Sequence, residues 1–172
     1  LVKDFHDQVM TIRMMPLESV VQRLPRVVRD LARDEGKKVK FEVRGQDIEL
    51  DRAILEQLGD PLIHLLRNSV NHGLETPEER QRTGKSPEGH IVLEAYRRRD
   101  LVLIDVRDDG RGIEPMTIRE AAVSKGLLTP EQADHMGDDD VVQLIFEPEF
   151  PSAIKVGLVS VSGVGMDAVN NT

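Results

Sequence analysis

The chain contains no cysteine and no tryptophan, and aromatic residues fill only 3% of its 172 positions. Without thiols there is no disulfide and no thiolate metal site, which accords with a reducing compartment and with a cytoplasmic location. With so few rings, the core has to be packed from Leu, Val, Ile and Met, and an apolar content of 39% supplies enough of them. No apolar run approaches the roughly 20 residues that span a bilayer, and no secretory signal opens the chain, so direct membrane insertion is not expected. A basic surface is missing too. The net charge of −8 and a pI near 5.2 argue against nucleic acid or an anionic membrane as partner. Several motifs are also absent: a G-x-x-x-x-G-K-[ST] phosphate loop, a dinucleotide fingerprint after a strand, and a Ser-His-Asp signature.

The length suits one domain, or one domain with a short appendage. The chain opens mid-pattern at Leu1 without Met and reads as an excised fragment. From Pro16, apolar residues recur every three or four positions through Leu17, Val20, Val21, Leu24, Val27, Val28 and Leu31. That spacing predicts one amphipathic helix of about five turns, irregular at Pro25 and ending before Gly36. Lys38 to Arg44 alternates as a half-buried strand, followed by a turn at Gly45-Gln46-Asp47. Asp51 is a suitable cap for a helix running to His72, with Gly73 in the C-terminal glycine position. Thr76-Pro77-Glu78-Glu79 starts a short helix, and the Thr83 to Gly89 run reads as a solvated loop. His90 to Tyr96 and Leu101 to Val106 form a hairpin around Arg97 to Asp100. Helices follow from about Pro115 to Lys125, from Thr129 with Gln132 as a capping-box partner, and from about Asp139 to Phe146. Gly163-Val164-Gly165 precedes a further helix start. The order predicts an α+β fold: a two-layer sandwich with helices over one face of a mixed sheet.

Three constellations carry chemistry. In "HLLRNSVNHG" (64–73), His64, Asn68, Asn71 and His72 fall within a helical sector of about 100°. A polar stripe is also what a plain solvent face presents, but such faces favour Lys and Glu over imidazoles and carboxamides. An Asn oxygen can join a hydrated Mg²⁺ shell, and its NH₂ can donate to phosphate. In "VRDDGRGIEP" (106–115), a strand ends in acids and two spaced glycines. A carboxylate there can accept a purine amine, with Gly110 and Gly112 letting the backbone come close; a turn after a strand is the alternative. In "SGVGMD" (162–167), glycines before a helix can offer backbone N–H groups to phosphate, and a flexible loop explains them equally well. His90, in a strand, and His135, in a polar helix, read as structural or surface residues.

In order and spacing, the three constellations resemble the N, G1 and G2 boxes of the GHKL ATPases. More narrowly, "RMMPLESVVQRLPRVVRDLA", "HLLRNSVNHGLETPEER" and "DDGRGIEP" resemble the catalytic domain of the CheA-type chemotaxis histidine kinases. "KGLLTPEQADHMGDDDVVQLIFEPEF" is similar to their segment leading through the F box, and the likeness runs from about Val9 to Asn171.

The resemblance implies a Bergerat-type ATP-binding fold whose cofactors are ATP and Mg²⁺. It implies that Asn68 holds the Mg²⁺, with Asn71 also at the nucleotide, and that Asp108 binds the adenine amine, with Gly110 and Gly112 beside the base. His64 and His72 would lie near the phosphates, Phe146 and Phe150 in the F box, and Gly163 and Gly165 at the end of the ATP lid. His64 stands where hydrolysing relatives carry a Glu base, so the pattern implies phosphotransfer to a protein histidine with slow intrinsic hydrolysis. By the same resemblance, residues 1–15 end a dimerisation helix or linker, and 16–172 are the kinase domain with its C-terminal strands missing. The acceptor would lie on a separate phosphoacceptor domain rather than at His6. A CheW-like coupling protein, chemoreceptors and response regulators would be partners through other domains of a homodimeric protein. The lid departs from the family pattern, with Val161 for a glycine and Ser162 for an arginine. A β-branched residue disfavours positive φ, which motivates an alternative: an ATP-binding scaffold or sensor module with little transfer activity.

Overall fold

The structure, a computed structural model, describes residues 13–146. It opens with a short strand, β1 (Met14–Pro16), paired antiparallel with β3 (Glu49–Asp51) through Met14↔Asp51 and Pro16↔Glu49. Where the periodicity predicts one long helix, the chain forms two, α1 (Glu18–Val21) and α2 (Leu24–Asp34). Proline is the cause. Pro25 takes the second position of α2, where its missing N–H has no partner to lose, so the helix restarts there instead of kinking. The apolar stripe carries across the break, and Leu17, Val21, Leu24, Val28 and Ala32 are all buried.

The main sheet contains β2 (Lys38–Arg44), β4 (Glu88–Arg98) and β5 (Leu101–Asp108) in the order β2-β4-β5. β2 and β4 are parallel, and β4 and β5 antiparallel, so the sheet is mixed as the sequence predicts. A parallel pair requires a crossover, and the chain supplies it with α3 (Arg52–Asn68) and α4 (Pro77–Arg82). The hairpin is tighter than expected. Pairing persists to Arg98↔Leu101, leaving only Arg99 and Asp100 in the turn, and Arg99 takes a positive φ of 56°.

Alternation then assigns the two faces. Phe41, Val43, Ile91, Leu93, Ala95, Ile104 and Val106 share one face and pack with the helices, joined by Leu55, Leu62, Leu66 and Val70 of the α3 region. The other face carries Lys40, Glu42, His90, Glu94, Asp105 and Arg107 and holds polar pairs such as His90 Nε2 with Glu42 at 3.1 Å. This is the expected two-layer arrangement, with helices over a single face.

Asp51 caps α3 by accepting from the Ala53 N–H at 2.8 Å. The helix reaches the predicted end, but its last turn, Ser69–Gly73, is a π turn closed by the Leu74 N–H donating to the Ser69 carbonyl at 2.8 Å. Gly73 is not a left-handed cap: it is absent from the glycines with positive φ, which include Gly36, Gly45 and Gly126.

Beyond β5, α5 (Pro115–Ser124), α6 (Pro130–His135), α7 (Asp138–Gln143) and a 3₁₀ turn (Leu144–Phe146) bury a second core around Ile118, Ala122, Val141 and Ile145. The predicted capping box of Thr129 with Gln132 forms, and the helix start at Thr76 proves to be a second one, closed by Glu79.

Candidate functional site

The C-terminal end of α3 meets the loop that follows β5, and the predicted polar groups divide there by environment. Leu62, Leu66 and Val70 hold the helix on the sheet. Asn68 is only 3% exposed, although it belongs to the polar stripe. Asn71, in the π turn, is half-buried, and its Oδ1 is enclosed without a hydrogen-bond partner among the described residues. His64 and His72 are exposed. The four residues predicted as one stripe are therefore one buried and one half-buried carboxamide and two solvent-facing imidazoles. A π turn is wider than an α turn, so the 3.6-residue period cannot predict which way Asn71 and His72 face.

Lys37, which sequence reasoning did not single out, closes the helix end. Its Nζ donates to the Val70 carbonyl at 2.6 Å and the Asn71 carbonyl at 2.8 Å. The last carbonyls of a helix lack intrahelical partners and carry the negative end of its dipole, and a lysine answers both needs. Burial lowers the Lys37 pKa, and the Arg111 charge adds to the effect against the opposing pull of Glu35, Glu79 and Glu75.

The second half of the site is the Asp108–Gly112 loop. Asp108 pairs in register with Ile91, which puts it on the helix-covered face, and it is 7% exposed. Its Oδ1 accepts from the Gly110 N–H at 3.0 Å. Asp109 has a different employment: its Oδ1 accepts from the His90 N–H at 2.8 Å and its Oδ2 from Arg80 Nη2 at 2.9 Å. Two adjacent acids are thus separated by strand alternation, one committed to the sheet edge and one turned toward the helices.

Gly110 is required by packing. A Cβ there would stand 2.1 Å from the Gly73 carbonyl oxygen and 2.9 Å from Asp108 Oδ1. The Arg111 N–H also donates to the Gly73 carbonyl at 2.9 Å, so the loop rests on the π turn itself. The sequence leaves the two glycines to a ligand or to a turn after the strand, and the close neighbour at Gly110 is the protein's own backbone. Gly112 has nothing within 4 Å and a φ of +68°, so it is there for conformation.

A network of charges missed in the sequence braces this loop. The Arg80 side chain is 2% exposed. It donates through Nε to the Ser86 carbonyl at 2.6 Å, through Nη1 to Glu75 and to the Asp109 carbonyl at 3.3 Å each, and through Nη2 to the Asp109 carboxylate. Lys85 Nζ reaches Glu75 Oε2 at 2.8 Å, the Asp109 carbonyl at 3.1 Å and the Gly110 carbonyl at 2.9 Å. For Glu75, burial alone would raise the pKa; the Lys85 hydrogen bond and both cations outweigh it and the net direction is down. The 83–89 run read as solvated because Thr, Gly, Lys and Ser compose it, and nothing local reveals that Lys85 turns inward. The sole available signal was Arg80 directly after a capping box, within the first turns of a six-residue helix.

Among the described residues, no three or more His, Asp or Glu side chains group so as to hold a metal ion, and no helix is long and apolar enough to cross a membrane. Phe146 ends the 3₁₀ turn. Phe150, Val161, Ser162, Gly163 and Gly165, and at the other end His6, lie outside the described residues.

No family model matches the chain. It is 50% identical over 172 residues to the chemotaxis protein CheA of Halobacterium salinarum, a match covering 100% of this chain and 26% of that protein. It is 40% identical over 168 residues to CheA of Bacillus subtilis, covering 98% of this chain and 25% of the relative. It is also 42% identical over 166 residues to the sensor histidine kinase CheAY of Helicobacter pylori, covering 96% and 21%. The chain thus spans about a quarter of the length of the curated relatives it matches. A histidine kinase domain from the blue-light activated kinase of Erythrobacter litoralis EL346 overlays 77% of this chain and 54% of its own length, at 18% identity and a TM-score of 0.41.

Proposed function

This chain belongs to the CheA family of chemotaxis proteins over the segment it matches, and on that premise we propose that it is the ATP-binding kinase segment, serving transfer of a γ-phosphoryl group to a histidine on a separate phosphoacceptor domain. Residues 16–172 form the kinase domain in this reading, and residues 1–15 end a dimerisation helix or linker. Relay to a response regulator, coupling through a CheW-like protein and chemoreceptors, and homodimerisation belong to the whole protein in the cytoplasm.

One observation carries the reading: an enclosed Asn71 Oδ1 without a partner beside the buried Asn68 amide. Buried polar groups are normally satisfied, so an Asn71 oxygen left without a partner among the described residues, three positions from a buried Asn68, fits a bound polar ligand. When bound, Mg-ATP supplies the phosphoryl group, the metal neutralising charge on the phosphates. Asn68 would hold the metal through its amide oxygen, and Asn71 would meet the polar end of the nucleotide. Asp108 would accept the adenine amine; its inward position on β5 suits a flat base held between the strand end and α3. His64 and His72, exposed on the same helix, would stand toward the phosphates and the incoming acceptor. Position 64 carries an imidazole where hydrolysing relatives carry a glutamate base, which fits slow intrinsic hydrolysis, with transfer resting on positioning and electrostatics.

The test uses Asn68→Asp and Asn68→Ala with radiolabelled ATP and the cognate acceptor domain. Both variants are expected to lose transfer while keeping the circular dichroism of the parent. Undiminished labelling of the acceptor by a folded variant overturns the assignment.

A further inference from the structure

The side chains of the Arg80–Glu75–Lys85 network are assigned no contact with the nucleotide, yet their contacts to the loop after β5 fall at Asp109 and Gly110. The Asp109 carbonyl receives two donors, Arg80 Nη1 at 3.3 Å and Lys85 Nζ at 3.1 Å, and the Gly110 carbonyl receives Lys85 Nζ at 2.9 Å. Glu75 divides its two oxygens between the two cations. In the Asp109–Gly110 peptide the carbonyl faces the two cations, so its N–H points the opposite way, at Asp108 Oδ1 3.0 Å away. The carboxylate is therefore oriented by a peptide that Lys85 sets together with Arg80.

We propose that Lys85 is a positioning residue for base selectivity: it sets the Asp109–Gly110 peptide and, through it, the Asp108 carboxylate that recognises the exocyclic amine of a purine. The inference rests on the assignment of Asp108 to adenine. A purely stabilising role explains the arrangement less well. The Lys85 side chain is 36% exposed, and ion pairs made by groups that exposed contribute little to stability. Its three acceptors instead converge on one ammonium from two backbone carbonyls and one carboxylate. A compact point charge with three donors suits that geometry better than a planar guanidinium.

The experiment compares ADP with purine riboside diphosphate, which lacks the 6-amine, by calorimetry on the full chain. The parent is expected to favour ADP about tenfold, the scale of one hydrogen bond to a charged acceptor. In Lys85→Ala that preference falls to within about twofold, while affinity for the amine-free ligand stays near the parent value, because only the oriented carboxylate is lost. Lys85→Arg is expected to restore part of the preference, and serves as the informative variant if Lys85→Ala does not fold. An unchanged preference in the variants, or an equal fall for both ligands, overturns the proposal. If the parent itself binds the two ligands alike, it is the Asp108 assignment that fails, and the inference falls with it.

Discussion

Two arginines do similar work in different places. Arg119 of α5 donates to the Ala133 carbonyl at 2.9 Å and the Met136 carbonyl at 2.6 Å and pairs with Asp138 at 2.8 Å, tying α6 and α7 to the small C-terminal core. Arg80 of α4 likewise binds two loop carbonyls and two carboxylates. The regions differ in what lies beyond the arginine. Asp138 is largely solvent-exposed, and among the described residues the elements Arg119 joins leave no buried side-chain acceptor unsatisfied. Beyond Arg80 lie a second cation, a carboxylate turned inward, and the orphaned Asn71 oxygen at the neighbouring helix end. Ion pairs alone thus do not mark a site; polar groups that the fold buries and leaves unmet do.

Removing each arginine in turn is the strongest way to break the comparison. Arg80→Met leaves Glu75 buried without its guanidinium and is expected to cost about 3 kcal/mol in urea denaturation. Arg119→Met removes hydrogen bonds beside an exposed acid and should cost only about 1 kcal/mol. Equal losses would mean that the two anchors are equivalent. Glycine substitution sharpens the contrast within the loop. Gly110→Ala drives a Cβ into the Gly73 carbonyl and is expected to destabilise by about 2 kcal/mol, with loss of nucleotide binding in calorimetry. Gly112→Ala meets no atom and carries only the left-handed φ, a cost of about 1 kcal/mol. The smallest effect concerns acid. The folded Glu75 pKa lies below its usual value of 4.5, so the unfolded chain binds the proton more readily and stability falls as pH drops from that value through the folded pKa. Glu75→Gln should flatten that part of a stability–pH profile, and an unchanged slope would show that Glu75 is not engaged as described.

Much of the fold was legible because its cues are local. The alternation of Lys38–Arg44 places Val39, Phe41 and Val43 on the core side, and both capping boxes form where Thr-Pro precedes Glu or Gln. Pro25 reads as a kink or a local irregularity, and the fold makes it the second residue of a new helix, a position that needs no N–H partner. The hairpin was read two residues too wide because Arg97 and Arg98 look like turn residues, although both pair across to Val102 and Leu101.

The sequence by itself determined the order of the main helices and strands, their apolar faces, the N-caps at Asp51 and Thr129 and the family resemblance, since each depends on residues a few positions apart. Only the tertiary structure decided which acid faces inward, since Asp108 and Asp109 differ by β5 register against β4 and by partners 19 and 29 positions away. The same holds for the π turn that splits the His and Asn stripe, for Lys37 on the helix end, and for Lys85 against the loop. These are long-range hydrogen bonds among polar groups, and periodicity registers where apolar residues recur, not which polar groups burial will bring together.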